Sequence, residues 1–272
     1  MTDMKQVRVP DLAAMKSRGE KITVLTAYDA TMARLFDSAG TDVLLVGDSL
    51  GMVILGGEDT LDVSMDDMVR HTRAVRRGTK RALVVADMPF LSYQASHAEA
   101  VRNAGRLLQK GGAMGVKLEG GAGVTLLVER LVSIGIPVMG HLGLLPQSVH
   151  QMGGFRRQGS TRNARQKLIA EAIALEEAGA FAIVLECIPE DLAQEITQQV
   201  HVPTIGIGSG PHCDGQVLVS YDMLGLTEKA PPFVQKYAQL DKVVTEAAQA
   251  FARNVKGEDN GTGAKAREAK KA

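Results

Sequence analysis

The chain has little to staple it, no excess charge of either sign and no long apolar run. Its two cysteines, Cys187 and Cys213, form no CxxC. A chain of this size needs no disulfide staples, so they read as reduced thiols of a reducing compartment, and a cytoplasmic location is expected. Lys plus Arg number 31 against 31 Asp plus Glu, a formal net charge of zero. No overall basic field therefore gathers phosphate backbones or anionic lipid, and no segregated basic patch stands out, so neither nucleic acid nor membrane is an expected partner. No stretch approaches the about 18 uninterrupted apolar residues of a membrane span. The opening MTDMKQVRVPDLAAMKSRGEK has no apolar h-region, so export is not expected either. Neither GxGxxG after a first strand nor GxxxxGK[ST] is present, which leaves dinucleotide and P-loop readings without support.

What is there is a repeating pattern in a chain that is 45% hydrophobic, ample for a folded core. Short, β-branched apolar runs predict strands at 22–27, 43–47, 82–87, 114–119, 136–141, 181–186, 202–208 and, most weakly, 216–220. Helical spacing of apolar residues predicts helices at 29–39, 66–77, 96–110, 123–134, 163–178, 189–199 and 233–253. Near-continuous Val/Ile/Leu strands separated by helices are buried on both faces and parallel, and eight such strands at this length predict an α/β fold, the closed (β/α)8 TIM barrel. Residues 1–255 are expected to form a single barrel domain, with a short helix around Leu12–Met15 closing its lower mouth. Residues 256–272, without a large apolar side chain, are expected to be a mobile, disordered tail with no assigned role.

In such a barrel chemistry is built where the strands end at their C-terminal side. Read there, the strands deliver Tyr28, then Asp48 with Ser49, Asp87, Lys117 and Glu119, His141, Glu186 and finally the glycines of GIGSG at 206–210. Each residue alone has a plainer reading: Asp48 and Asp87 as helix caps or turn residues, His141 as a core histidine, Glu186 as the cap of the helix after Pro189. Together, three carboxylates ending adjacent strands repel unless a cation or raised pKa values relieve them. All-oxygen ligation by Asp48, Asp87 and Glu119 points to a hard ion such as Mg²⁺ rather than zinc. Lys117 shares a strand face with Glu119 and adds positive charge for an anionic substrate. Glu186, on the opposite side of the mouth, suits a base. The GIGSG loop permits close approach of a phosphate or of any other ligand. The other histidines, His71, His97, His150, His201 and His212, read as surface residues, and Met114, Met139 and Met152 as core filler.

Eight segments carry a resemblance: LLVGDSLGMVILG at 44–56, HTRAVRRG at 71–78, ADMPF at 86–90, GVKLEGG at 115–121, PVMGHLGLLPQS at 137–148, GGFRRQG at 153–159, VLECIP at 184–189 and IGIGSGPHCDGQVLV at 205–219. In collinear order over roughly residues 20–250, the chain resembles the ketopantoate hydroxymethyltransferase family. The resemblance implies a Mg²⁺-dependent cytoplasmic barrel enzyme of pantothenate and coenzyme A synthesis, usually a homodecamer. It implies transfer of a one-carbon unit from 5,10-methylenetetrahydrofolate to 3-methyl-2-oxobutanoate, giving 2-dehydropantoate and tetrahydrofolate through an enolate. It further implies Asp48, Asp87 and Glu119 as metal ligands, Asp48, Ser49, Asp87 and Lys117 as ketoacid contacts, Glu186 as proton acceptor and His141 beside the reacting carbon. Proton transfer by His141 or by a water stays open beside Glu186. Ser209 and Leu145 depart from the residues usual in the family, Ala and Thr, and bear on local loop packing. With no Trp, four Tyr and six Phe, the sequence offers no obvious stacking partner for a pterin.

Overall fold

In the computed structural model, which describes residues 5–258, all eight strands are present and parallel. They are β1 Ile22–Thr26, β2 Val43–Val46, β3 Leu83–Asp87, β4 Gly115–Lys117, β5 Val138–Gly143, β6 Ala182–Glu186, β7 Thr204–Ile207 and β8 Gly215–Leu218. Each pairs with the next in sequence, and β8 returns to pair with β1, Ile22 opposite Gly215, so the sheet closes into a barrel. Helices α1 Val9–Ser17, α2 Ala30–Ser38, α3 Leu50–Val53, α4 Met65–Gly78, α5 His97–Arg106, α6 Thr125–Ser133, α7 Val149–Met152, α8 Arg162–Glu177, α9 Glu190–Gln199, α10 Ser220–Met223 and α11 Leu240–Lys256 complete the chain. Two compact units divide it, Met1–Ser220 and Tyr221–Ala272.

The barrel forms where the pattern put it because successive side chains alternate faces. Ile22, Val24, Val43, Leu45, Leu83, Val85, Met139, Ala182, Val184, Ile205 and Val217 make one buried cluster inside the sheet. Their neighbours Leu44, Val84 and Ile183 are equally buried on the other face, where helices lie, which is why these strands read as continuous apolar runs. Val7 and Leu12, just before and within α1, join the inner cluster, so the helix preceding β1 plugs the bottom of the barrel as expected. Helix starts follow local capping chemistry: Asp29 accepts from the N–H groups of Thr31 and Met32, Ser64 and Asp67 form a capping box, and Thr161 accepts from Ala164 N–H.

Two differences from expectation have physical causes. The one-turn helices α3 and α7 lie too close to strand ends to show a period. Residues 208–214, between β7 and β8, contain no helix, as expected. In the second unit the last helix starts at Leu240 rather than near 233, because Tyr237 N–H bonds Met223 O and Leu240 N–H bonds Leu224 O, holding the chain after Pro231–Pro232 in a turn. The expected tail begins at the last residue of α11, and its residues 259–272 lie outside the described residues.

Candidate active site

Continuing the inward alternation past the apolar layers places the polar residues. In β3 the inward series Leu83, Val85 ends in Asp87; in β4 Lys117 is followed by Glu119; in β5 Met139 is followed by His141; in β6 Ala182 and Val184 are followed by Glu186. Asp48 and Ser49 reach the same mouth by the turn after β2, at Gly47, where a Cβ would stand 2.7 Å from Ser49 Oγ. Gly143 has φ +95, and a Cβ there would overlap the Glu186 carbonyl, which accepts from Leu144 N–H at 2.8 Å. Glycine at this position lets the ends of β5 and β6 close together.

All seven residues singled out from the sequence converge here. Lys117 Nζ lies 3.2 Å from Asp87 Oδ1, 3.2 Å from His141 Nδ1 and 4.0 Å from Glu119 Oε1. The His141 ring bridges two carboxylates, Nδ1 to Glu119 Oε1 at 3.4 Å and Nε2 to Glu186 Oε2 at 3.1 Å. Asp87 Oδ2 accepts from Asp48 N–H at 3.0 Å, and Ser49 Oγ lies 2.9 Å from the Tyr28 hydroxyl. Asp48, Asp87, Lys117, Glu119 and His141 are buried, Glu186 and Ser49 half-buried.

Burial with like charge dominates the electrostatics. Burial, then the charges of Asp87 and Glu119, pushes the Asp48 carboxyl well above its usual range. Burial also raises Asp87, with Lys117 and the Asp48 amide pulling the other way. For Glu119 burial is outweighed by the hydrogen bond and charge of His141 and by Lys117, and its pKa falls. Burial and the Lys117 ammonium favour a neutral His141, but bonds to Glu119 and Glu186 prevail and lift it to about 9. Lys117 is raised as well, its burial overcome by Asp87, Glu119 and Asp48. Even so, Asp87 Oδ1, Glu119 Oε1 and His141 Nε2 are buried without a well-directed hydrogen bond. Each faces a charged neighbour, at 3.2, 3.4 and 3.1 Å respectively, without the geometry of a hydrogen bond, an incomplete satisfaction that fits a site shaped for a further group.

Sequence reasoning missed two members. Gln147, buried in the short 3-10 turn Pro146–Ser148, donates through Nε2 to Asp48 Oδ2 at 2.8 Å and to Met88 O at 2.9 Å, while its backbone N–H donates to Glu119 Oε2 at 3.0 Å. Buried Tyr93 donates its hydroxyl proton toward Gln147 Oε1 at 2.9 Å and accepts from Glu119 N–H at 3.1 Å. For Gln147 the available signal was a glutamine in a proline-started turn shortly after a functional strand. His71, expected at the surface, is half-buried with Nδ1 2.6 Å from Tyr28 O, because it lies on the inner side of α4. Ser209 is buried, donating to Leu185 O at 2.8 Å, so its hydroxyl is absorbed in loop packing.

A closed eight-stranded parallel barrel with a charged, buried and incompletely bonded cluster at its C-terminal mouth is the architecture of a barrel enzyme. Residues 6–260 match the family model described as ketopantoate hydroxymethyltransferase, and the chain belongs to that family. It is similar to the 3-methyl-2-oxobutanoate hydroxymethyltransferase of Syntrophus aciditrophicus (strain SB), 56% identical over 259 residues that cover 95% of this chain and 94% of that one. The enzyme of that description from Carboxydothermus hydrogenoformans is 54% identical, covering 93% and 92%. Among solved structures the chain is similar to a phosphonopyruvate hydrolase complexed with oxalate and Mg²⁺, at 14% identity and TM-score 0.63 over 96% of this chain and 91% of that one. It is also similar to a 2,3-dimethylmalate lyase, at 16% identity and TM-score 0.60 over 94% and 90%. At such identities these two likenesses show the fold alone. The chain is therefore an enzyme, a hydroxymethyltransferase.

Proposed function

We propose that this enzyme moves a hydroxymethyl group from 5,10-methylenetetrahydrofolate to 3-methyl-2-oxobutanoate, with a water supplying the hydroxyl, and releases 2-dehydropantoate and tetrahydrofolate. The observation that carries this reading is the contact chain from Asp87 through Lys117 and His141 to Glu186, which joins the ammonium to the carboxylate expected opposite it, around the mouth from β3 to β6. Family membership supports the choice of ketoacid and of one-carbon chemistry.

A divalent cation fits this donor set. Asp87 Oδ1 and Glu119 Oε1 are buried without a directed hydrogen bond, and Asp48, Asp87 and Glu119 offer only oxygen, the preference of Mg²⁺. Among the described residues no three such groups form a ready-made metal cage, so waters and substrate oxygens would have to complete the ion's shell. Held by these three residues, Mg²⁺ would supply Lewis-acid polarisation of the ketoacid.

The chain's own residues do the rest. Ser49 and Asp48, on the turn after β2, orient the ketoacid. Lys117, buried and fully charged, faces the oxygen on which negative charge develops as C3 loses its proton, an interaction strongest in the transition state. Glu186 Oε2 accepts that proton, and His141 Nε2, 3.1 Å away, holds the carboxylate in place and takes up part of the charge change. Water displaces the one-carbon unit from both folate nitrogens at the oxidation level of formaldehyde, the two nitrogens keeping the protons of tetrahydrofolate; C3 then attacks that carbon, and the resulting alkoxide takes back the proton removed from C3 to become the new hydroxyl.

Hydroxymethylation of 3-methyl-2-oxobutanoate, followed with labelled methylenetetrahydrofolate with and without chelator, tests the reading. Turnover that chelation abolishes and Mg²⁺ restores is expected; C–C cleavage of the ketoacid, or turnover indifferent to chelation, would overturn it. The two free thiols support a cytoplasmic setting. Association into a homo-oligomer, a decamer by resemblance, is supported by α11, where Val243, Val244, Phe251 and Val255 form an apolar stripe, each at least 58% exposed.

A further inference from the structure

We infer that Gln147 is a positioning residue that sets the direction of two carboxylates at once, so that the second oxygen of each, held by no directed hydrogen bond, can be taken by a cation. The inference rests on reading the mouth as a metal site. Each of the three acidic side chains there takes its directed hydrogen bond on one oxygen. Asp87 Oδ2 is held by the Asp48 N–H at 3.0 Å, Asp48 Oδ2 by the Gln147 side-chain amide at 2.8 Å, and Glu119 Oε2 by the Gln147 backbone N–H at 3.0 Å. The opposite oxygens of Asp87 and Glu119 face only the charges of Lys117, at 3.2 Å, and His141, at 3.4 Å, without a directed hydrogen bond, and no hydrogen bond to Asp48 Oδ1 is found among the described residues. Two of the three ties thus come from one residue.

The amide's orientation is forced. Met88 O, 2.9 Å away, can only accept, so it must face Nε2, and Oε1 then receives the Tyr93 hydroxyl at 2.9 Å and Gln94 Nε2 at 3.2 Å. With both ends of the amide satisfied and Gln147 buried, the donor offered to Asp48 Oδ2 is fixed in place. No shorter, aliphatic or charged residue at this position offers a donor to a carboxylate and a carbonyl together with an acceptor for a tyrosine.

The test is Mn²⁺ alone, titrated into the full-length protein and followed by the resonance of the free aqua ion. Gln147→Met keeps the length and the backbone N–H but loses the side-chain donor, and its Mn²⁺ dissociation constant should rise roughly 10–100-fold while circular dichroism stays native. Leu12→Ala, at the far end of the barrel, serves as a control for general destabilisation: its thermal midpoint should fall while Mn²⁺ affinity is kept. Unchanged affinity in folded Gln147→Met, or equal loss in Leu12→Ala, overturns the positioning role. If Gln147→Met does not fold, Tyr93→Phe, which frees the amide oxygen, should weaken Mn²⁺ several-fold, and unchanged affinity there overturns the role. Absence of Mn²⁺ binding by the wild type would sink the metal reading itself, and the positioning role with it, before any variant is compared.

Discussion

The two ends of the barrel treat buried and half-buried charges oppositely. At the bottom Asp42, Asp37 and Lys16 are each held by several partners. Asp42 accepts from Thr23 N–H at 3.0 Å, from the Thr23 hydroxyl at 2.8 Å and from Arg81 at 2.7 Å. Asp37 gathers the N–H groups of Lys80, Arg81 and Ala82, and Lys16 is held by three carbonyls and by Asp214 at 3.0 Å. At the top, Asp87, Glu119 and His141 each keep a buried polar atom without a directed bond. The same fold thus uses charge as mortar at one end and holds it in reserve at the other. Incomplete bonding, not charge itself, distinguishes the site.

The comparison breaks most visibly at the proposed base. Glu186→Gln should slow deuterium exchange at C3 of the ketoacid about 10²–10⁴-fold with ketoacid affinity retained; unchanged exchange would remove Glu186 from the role. Lys117→Met should lower kcat by about 10²–10³-fold, since a charge facing the developing oxyanion is lost, and steady-state kinetics on a folded variant decide this. At the bottom the currency is stability. Leu12→Ala, which empties part of the plug inside the barrel, should cost roughly 2–5 kcal/mol in denaturant unfolding and leave kcat/KM unchanged. Asp37→Ala strips three backbone N–H groups of their partner and should cost roughly 1–3 kcal/mol, again without a kinetic effect; a drop in kcat would erase the division between the ends.

The smallest expected effect sharpens the comparison through pH. In chelator-treated protein the His141 pKa is raised from 6.5 to about 9, so the stability this ring contributes is complete below 6.5 and is lost as pH rises through about 9. The thermal midpoint of the wild type should therefore fall over that interval relative to His141→Asn. Parallel profiles for the two proteins would show that the ring is neutral at neutral pH.

Much of this was legible beforehand because alternation is a local property. Leu83, Val85 and Asp87 point inward whatever else the chain does, so a strand's last polar residue announces itself as mouth-facing. The short helices α3 and α7 escaped because one turn carries no period, and the start of α11 because hydrogen bonds to Met223 and Leu224, not propensity, decide it. Gln147 escaped for a different reason. Its partners Asp48 and Met88 lie 99 and 59 residues away in sequence, and nothing in PQS says that the turn folds across the ends of β2 and β3.

By itself the sequence determined that eight parallel strands form, which faces they bury, and that Asp87, Lys117, Glu119, His141 and Glu186 share one mouth, since these follow from period-two geometry and apolar runs, while Asp48 follows from its place just past the end of β2. Only the tertiary structure decided which oxygen of each carboxylate is tied and which is free, that His141 spans Glu119 and Glu186, and that one glutamine fastens two acids. Those are distances across a closed barrel, set by the pairing of β8 with β1 and by the packing of loops over its rim, and such closure has no counterpart in the spacing of residues along the chain.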